Sequence, residues 1–193
     1  MTGIVVKSTG SRYLVRLKDG EVIDCVLKGK IRLDGRKTTN PVAVGDVVDI
    51  DNDENGDTII KNIHPRKNYI IRKSINLSKQ AQILASNLDQ ALLVATLVAP
   101  RTSLGFIDRF LITAEAYSIP AILVFNKSDI LDADLLKLQQ EIIAIYEKIG
   151  YQCIVVSSLK KENLENVKAL LKDKTTLVAG HSGVGKSTLI RCV

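Results

Sequence analysis

One stretch near the C-terminal end constrains this chain more than any other: Gly180-His181-Ser182-Gly183-Val184-Gly185-Lys186-Ser187-Thr188. It has the spacing G-x-x-x-x-G-K-S and follows a short apolar run, Thr176-Leu177-Val178-Ala179, that reads as a strand. Leu189 and Ile190 begin a helical pattern behind it. Strand, glycine-rich turn and helix start are the context that a phosphate-binding loop requires. The glycines let the backbone turn tightly and aim N–H groups at phosphate oxygens. Lys186 supplies a point charge for the β/γ-phosphates, and the Ser187 hydroxyl is a ligand for Mg²⁺. His181 occupies a variable slot, so a backbone role is expected of it. Beyond Lys186, no catalytic residue is assignable.

The rest of the chain divides by pattern. Residues 1–66 read as short strands with strong turn signals, such as Lys18-Asp19-Gly20-Glu21 between Tyr13–Leu17 and Val22–Leu27. A fourth strand is expected over Val42–Ile50 and a fifth over Thr58–Ile63. Five short antiparallel strands predict a small closed barrel of the OB-fold type, with an SH3-like barrel as the alternative. Tyr13 is the only aromatic in this part, so base stacking would not dominate nucleic-acid binding by it. Residues 67–82 are polar and basic and read as a linker. From residue 83 the pattern changes to buried apolar runs at 92–98, 121–125 and 153–156, alternating with helical segments at 107–117, 135–149 and 164–171. That alternation predicts a parallel α/β sheet with helices on both sides, over residues 83–193.

Charge locates a second expectation. The net charge is +6. The excess lies in Lys28, Lys30, Arg32, Arg36 and Lys37, opposed only by Asp34, and in Lys67, Arg72, Lys73 and Lys79, which face no acid in their stretch. Such clusters suit a phosphate backbone, and they are the candidate RNA contacts; a solvated surface is the plainer alternative. Cys25, Cys153 and Cys192 have no paired spacing and are expected as buried free thiols in a reducing compartment. No apolar run is long enough to span a membrane, and the N-terminus lacks the features of a signal peptide, so a cytoplasmic protein is expected.

Directly after the run 121–125 stand Asn126-Lys127-Ser128-Asp129, at the carboxyl end of an expected strand, where α/β sheets bind ligands. In N-K-x-D the Asp129 carboxylate can accept two hydrogen bonds from the guanine ring N–H and exocyclic amine, a pairing adenine does not offer. Asn126 can brace the neighbouring loops, and the Lys127 stem can cover the base. A buried carboxylate left unpaired by the wrong base gives strong discrimination. Val155-Val156-Ser157-Ser158 then resembles the strand and loop that contact the guanine oxygen in GTP-binding proteins, with Ser158 in place of the usual alanine.

The order of these motifs is unusual, because the phosphate loop comes last. An α/β sheet can be reconnected in this way when its original termini lie close together. Barrel, basic stretch and permuted motif order together resemble the RsgA (YjeQ/YloQ) family, as do Ser86-Asn87-Leu88-Asp89-Gln90 and Ile107-Asp108-Arg109-Phe110-Leu111. The resemblance implies a circularly permuted GTPase that acts in late maturation of the small ribosomal subunit. It implies contact with rRNA, GTP and GDP as ligands, Mg²⁺ with GTP, a monomer, and no membrane partner.

Family members also carry a D-x-P-G switch and a zinc-binding Cys/His segment after the phosphate loop. Neither stands in these 193 residues, nor does a first-switch threonine. A chain truncated in this way is expected to hydrolyse GTP weakly or not at all, and Zn²⁺ is expected only in the segment not present. The alternative reading is an RNA-binding module with a guanine-nucleotide site that is not catalytically competent. Gly183 also departs from the asparagine often found there in potassium-activated GTPases.

Overall fold

The computed structural model describes residues 1–27, 41–73 and 81–193, without the side chains of residues 72, 73, 81 and 82. The chain separates into two compact units, Met1–Leu88 and Asp89–Val193.

The first unit holds a closed barrel of five strands: β1 (Thr2–Ser8), β2 (Arg12–Leu17), β3 (Val22–Leu27), β4 (Val47–Asn52) and β5 (Thr58–Ile63). They are hydrogen-bonded in the order β1-β2-β3-β5-β4, with β4 returning to β1. This order separates the OB-type barrel from the SH3-like alternative. One expectation is corrected: β3 and β5 run parallel, so the barrel is not wholly antiparallel. A hairpin cannot join parallel neighbours, and the long connection from β3 through β4 makes this pairing possible. Alternate residues fill the barrel, among them Val5, Tyr13, Val15, Cys25, Ile50 and Ile60. Tyr13 is buried, with its hydroxyl donating to the Gly10 carbonyl at 3.0 Å. It is a core residue and offers no face to a base.

The fourth strand begins at Val47 and not at Val42. Residues 42–46 turn instead around an ion pair whose carboxylate, Asp46, is buried. Arg66 donates from Nε to Asp46 Oδ1 at 2.7 Å and from a terminal nitrogen to Oδ2 at 2.6 Å. Asp46 also accepts from the Ala43 N–H and the Ser86 hydroxyl. Gly45 makes the turn possible. Its φ is +92°, and a Cβ there would meet the Ser86 carbonyl oxygen at 2.1 Å.

The segment expected as a linker over 67–82 contains regular structure. β6 (Tyr69–Lys73) and β7 (Ala81–Ser86) pair antiparallel. Polar composition concealed them, because their pairing is supplied by each other and by barrel residues. Ser86 N–H donates to the Val44 carbonyl, and the Asn87 amide donates to the Gly45 carbonyl, both at 2.9 Å. Of the candidate RNA contacts, Lys28, Lys30, Arg32, Arg36 and Lys37 lie outside the described residues. Arg72 and Lys73 are described by their backbone alone, as part of β6.

The second unit has a four-stranded parallel sheet in the order β10-β9-β8-β11. Its strands are β8 (Gln90–Ala95), β9 (Ala121–Phe125), β10 (Gln152–Val155) and β11 (Thr176–Ala179). The connecting helices are α1 (Leu104–Ala116), α2 (Ala133–Lys148) and α3 (Leu164–Leu171), and α4 (Lys186–Cys192) follows β11. The sheet is covered on both faces, as its apolar runs predict. Leu92, Val94, Ile122 and Val124 pack with Leu164, Val167 and Leu189 of α3 and α4. Leu93, Ala95, Leu123 and Phe125 face the other way, against Ile107 and Leu111 of α1 and Tyr146 of α2. Adjacent residues of one strand thus serve opposite cores. Two of these helices begin at capping side chains: Ser103 for α1 and Asp132 for α2 accept from backbone N–H groups in the first turn.

All three cysteines are free, but only Cys25 is buried; Cys153 and Cys192 are partly accessible. Burial pushes the Cys25 and Cys153 thiols up to about 11, away from thiolate chemistry. No helix among the described residues is long and apolar enough to cross a membrane.

Candidate guanine-nucleotide site

The chain leaves β8 towards β9 on one side, while β11 lies on its other side. This is a switch point of the sheet, and the loops leaving the carboxyl ends of β8 and β11 flank the crevice there. The loop from β11 is Gly180–Gly185, ahead of α4. Gly183 and Gly185 have φ of +83° and +95°. A Cβ at Gly185 would lie 2.3 Å from the side-chain amide nitrogen of Asn126, so this glycine admits the neighbouring motif as well as the turn. Val184 is buried under the loop, whereas His181, Ser182, Gly183, Ser187 and Thr188 are exposed. The Lys186 ammonium lies over the loop, donating to the Gly180 carbonyl at 2.8 Å and the His181 carbonyl at 2.6 Å.

The second motif leaves β9. Asn126 is buried and bonds in two directions. Its amide nitrogen donates to the Val184 carbonyl at 2.9 Å, and its oxygen accepts from the Ser158 N–H and hydroxyl, both at 3.0 Å. One side chain therefore ties the phosphate loop to the loop after β10. The Ser158 hydroxyl, expected as a departure from alanine, adds a bond that alanine would lack. Lys127 takes a left-handed conformation, φ +64°, and its ammonium donates to the Ala99 carbonyl. Ser128 and Asp129 form a single 3-10 turn with Ile130. Asp129 Oδ1 accepts from the Ser157 hydroxyl at 2.6 Å, which fixes the carboxylate while leaving it further acceptor sites. The same Ser157 oxygen accepts from the Lys160 N–H at 3.0 Å.

The structure adds a wall that the sequence reading did not include, the segment from β8 into α1. Thr96 and Thr102 close this loop. The Thr96 N–H donates to Thr102 Oγ1 at 3.1 Å, and the Thr96 hydroxyl donates to the Pro100 carbonyl at 2.5 Å. Pro100 borders Gly183, within 3.4 Å of where a Cβ would stand. Phe106 of α1 packs on the His181 ring, with centroids 4.0 Å apart and planes inclined by 32°. His181 thus has a side-chain partner besides its backbone role. No periodicity or motif spacing marks such a contact; only the adjacency of β8 and β11 brings these residues together.

Residues 63–193 match the family model described as RsgA GTPase, and residues 2–60 match the RsgA N-terminal domain. The chain belongs to the RsgA family. Small ribosomal subunit biogenesis GTPase RsgA of Flavobacterium psychrophilum is 53% identical over 196 residues, covering 100% of this chain and 60% of its own length. The protein of that name from Bacteroides fragilis is 51% identical, covering 100% of this chain and 62% of its own. The crystal structure of YjeQ from Thermotoga maritima superposes with a TM-score of 0.79 at 36% identity, covering 99% of this chain and 64% of that one. YloQ, described as a circularly permuted GTPase, gives 0.72 at 31% identity, covering 98% and 62%. This RsgA-family chain therefore spans about three-fifths of the length of the curated relatives it matches. The family's GTPase model begins at residue 63, whereas the compact unit begins at Asp89, so the β6–β7 hairpin is matched with one domain and packs with the other.

Proposed function

We propose that this chain forms the guanine-nucleotide-binding part of a GTPase that serves biogenesis of the small ribosomal subunit. The observation that carries the nucleotide half is the Asn126 bridge from the Val184 carbonyl to Ser158, which joins three separate sequence motifs into one crevice. Support for the biological half is family membership and the printed names of the relatives.

In this reading the Asp129 carboxylate, oriented by Ser157, accepts from the guanine ring N–H and amine. Lys127 lies alongside the base with its ammonium tethered to Ala99, and the Ser158 segment lies near the guanine oxygen. The backbone N–H groups of 182–186 face the β-phosphate. Lys186 exchanges its two carbonyl partners for phosphate oxygens, which are stronger acceptors for a charged donor. The exposed Ser187 hydroxyl, adjacent to Lys186, is a hard oxygen donor and fits Mg²⁺, which keeps several waters and takes its other ligands from phosphates. Mg²⁺ bound there would draw charge from the β- and γ-phosphate oxygens. No group of three or more His, Cys, Asp or Glu among the described residues could hold a metal ion.

In the whole protein, a water oxygen bonds to the γ-phosphorus while the bond from that phosphorus to the β–γ bridging oxygen breaks, releasing GDP and phosphate. The residues of this chain contribute binding and charge neutralisation to that step. Lys28, Lys30, Arg32, Arg36, Lys37, Lys67, Arg72 and Lys73 are proposed to contact rRNA on the subunit, with the protein acting as a cytoplasmic monomer. Their support is compositional.

Calorimetric titration tests the nucleotide half: GDP binds and ADP does not. Equal affinities for the two would remove the guanine assignment. Co-sedimentation with small subunits tests the other half. Neutralising the basic residues should weaken binding, and the loss should grow with salt. Unchanged sedimentation would leave those residues as solvated surface.

A further inference from the structure

Arg101 stands in the wall between β8 and α1, at a place its neighbours fix. Before it, the Pro100 carbonyl accepts from the Thr96 hydroxyl; after it, Thr102 is buried. The Thr102 N–H donates to the Thr96 carbonyl at 2.8 Å, and the Thr96 N–H donates to Thr102 Oγ1 at 3.1 Å. The same short loop touches both motifs of the crevice. The Ala99 carbonyl accepts from the Lys127 ammonium, and the Pro100 ring borders Gly183 of the phosphate loop. Ala99 takes φ +49°, a left-handed conformation that is unfavourable for a residue bearing a Cβ. Such strain persists where surrounding bonds over-determine it, and it gathers at ligand sites.

Arg101 itself is exposed, and it makes no hydrogen bond or ion pair with the described residues. No acid stands in the sequence between Asp89 and Asp108. An exposed arginine on a loose loop would need no explanation. Here the backbone is bonded down on either side, and the preceding proline lines the phosphate loop. A guanidinium is always charged, and its planar fork of donors matches phosphate oxygens. In the nucleotide reading, the loop N–H groups and Lys186 hold the β-phosphate, while the Lys127 ammonium is engaged with Ala99. A triphosphate therefore keeps uncompensated acceptors on its outermost phosphate. We propose that Arg101 donates to that terminal phosphate, as a residue that favours GTP over GDP. The inference rests on the nucleotide reading of Gly180–Thr188 and deepens it. It assigns Arg101 no contact with the base.

The test is titration of the wild type, Arg101→Gln and Arg101→Lys with GDP, with a non-hydrolysable GTP analogue and with inorganic tripolyphosphate. Loss of one charge-assisted bond predicts that Arg101→Gln binds the GTP analogue and tripolyphosphate about tenfold more weakly. Its GDP affinity should change by less than about twofold. Arg101→Lys keeps the charge without the fork and should recover part of the loss. Added salt should narrow the gap between wild type and Arg101→Gln. Thermal unfolding without ligand should be the same for all three, since the side chain is exposed. An equal loss for GDP and the GTP analogue would overturn the inference, by showing a general effect on the site. Unaltered GTP-analogue affinity in Arg101→Gln would also overturn it, and wild-type binding would leave the nucleotide reading intact. A wild type that bound neither nucleotide would defeat the nucleotide reading itself, and the inference with it.

Discussion

The side chain of Asn126 and the backbone carbonyl of Val184 meet at 2.9 Å across 58 positions of sequence, in a bond shielded from solvent. Gly185, the next residue, must lack a Cβ for this bond to exist. The loops that follow β9 and β11 are thereby tied together by one side chain. Replacing Asn126 by alanine should leave the Val184 carbonyl and the Ser158 N–H without their partner, at a cost of roughly 1–3 kcal/mol per buried group. We expect both a lower unfolding midpoint in denaturant and weaker GDP binding by calorimetry. A variant that kept full GDP affinity would show that the two loops hold their places without the bridge.

Asp129→Asn should change which base is bound. The amide offers a donor where guanine presents its amine, and xanthine offers a carbonyl oxygen at that position. GDP affinity should fall by at least about a hundredfold, with xanthosine diphosphate bound in its place. Competition titration with the two nucleotides reads this directly.

Phe106→Ala removes the ring against which His181 packs. Aromatic pairs of this kind contribute about 0.5–1.5 kcal/mol. Affinities for GDP and for inorganic tripolyphosphate should therefore fall together, by about three- to tenfold. An unchanged tripolyphosphate affinity would mean that the phosphate loop keeps its shape without Phe106.

In the first unit, the buried Asp46 and the partly exposed Arg66 form an ion pair that joins the turn before β4 to the end of β7 through Ser86. Asp46→Ala removes the acceptor for Arg66, the Ser86 hydroxyl and the Ala43 N–H together, and should cost roughly 2–4 kcal/mol in chemical unfolding. Arg66→Met should cost less, because Asp46 keeps the Ser86 hydroxyl and the Ala43 N–H.

Asp49 accepts from His64, Thr2 and Asn62, and these bonds lower its carboxyl from an ordinary 3.8 to about 2. The folded value lies below the unfolded one, so the contribution is fully present above about pH 4 and is lost as pH falls towards 2. Acid unfolding followed by circular dichroism should show a shallower slope between these values in Asp49→Asn than in the wild type. Identical slopes would mean that these bonds do not favour the ionised form.

Several features of this protein were legible from local pattern alone. The phosphate loop, N-K-x-D and the alternation of buried runs with amphipathic helices each depend on residues close together in sequence. Their chemistry dictates the local backbone, so strand, loop and helix follow from the residue types. The motif order alone indicated a permuted connection. Other features needed the folded chain. The parallel pairing of β3 with β5, which identifies the barrel type, joins strands far apart in sequence. The hairpin of β6 and β7 was hidden by polar composition, because its partners are one another and the Val44–Asp46 turn. Ser158 looked like a mild departure until its hydroxyl met Asn126, and Phe106 carried no signal until α1 came beside His181. Sequence determines what each segment prefers to be. Which side chains meet in the crevice is decided by the strand order, which sets β8 beside β11.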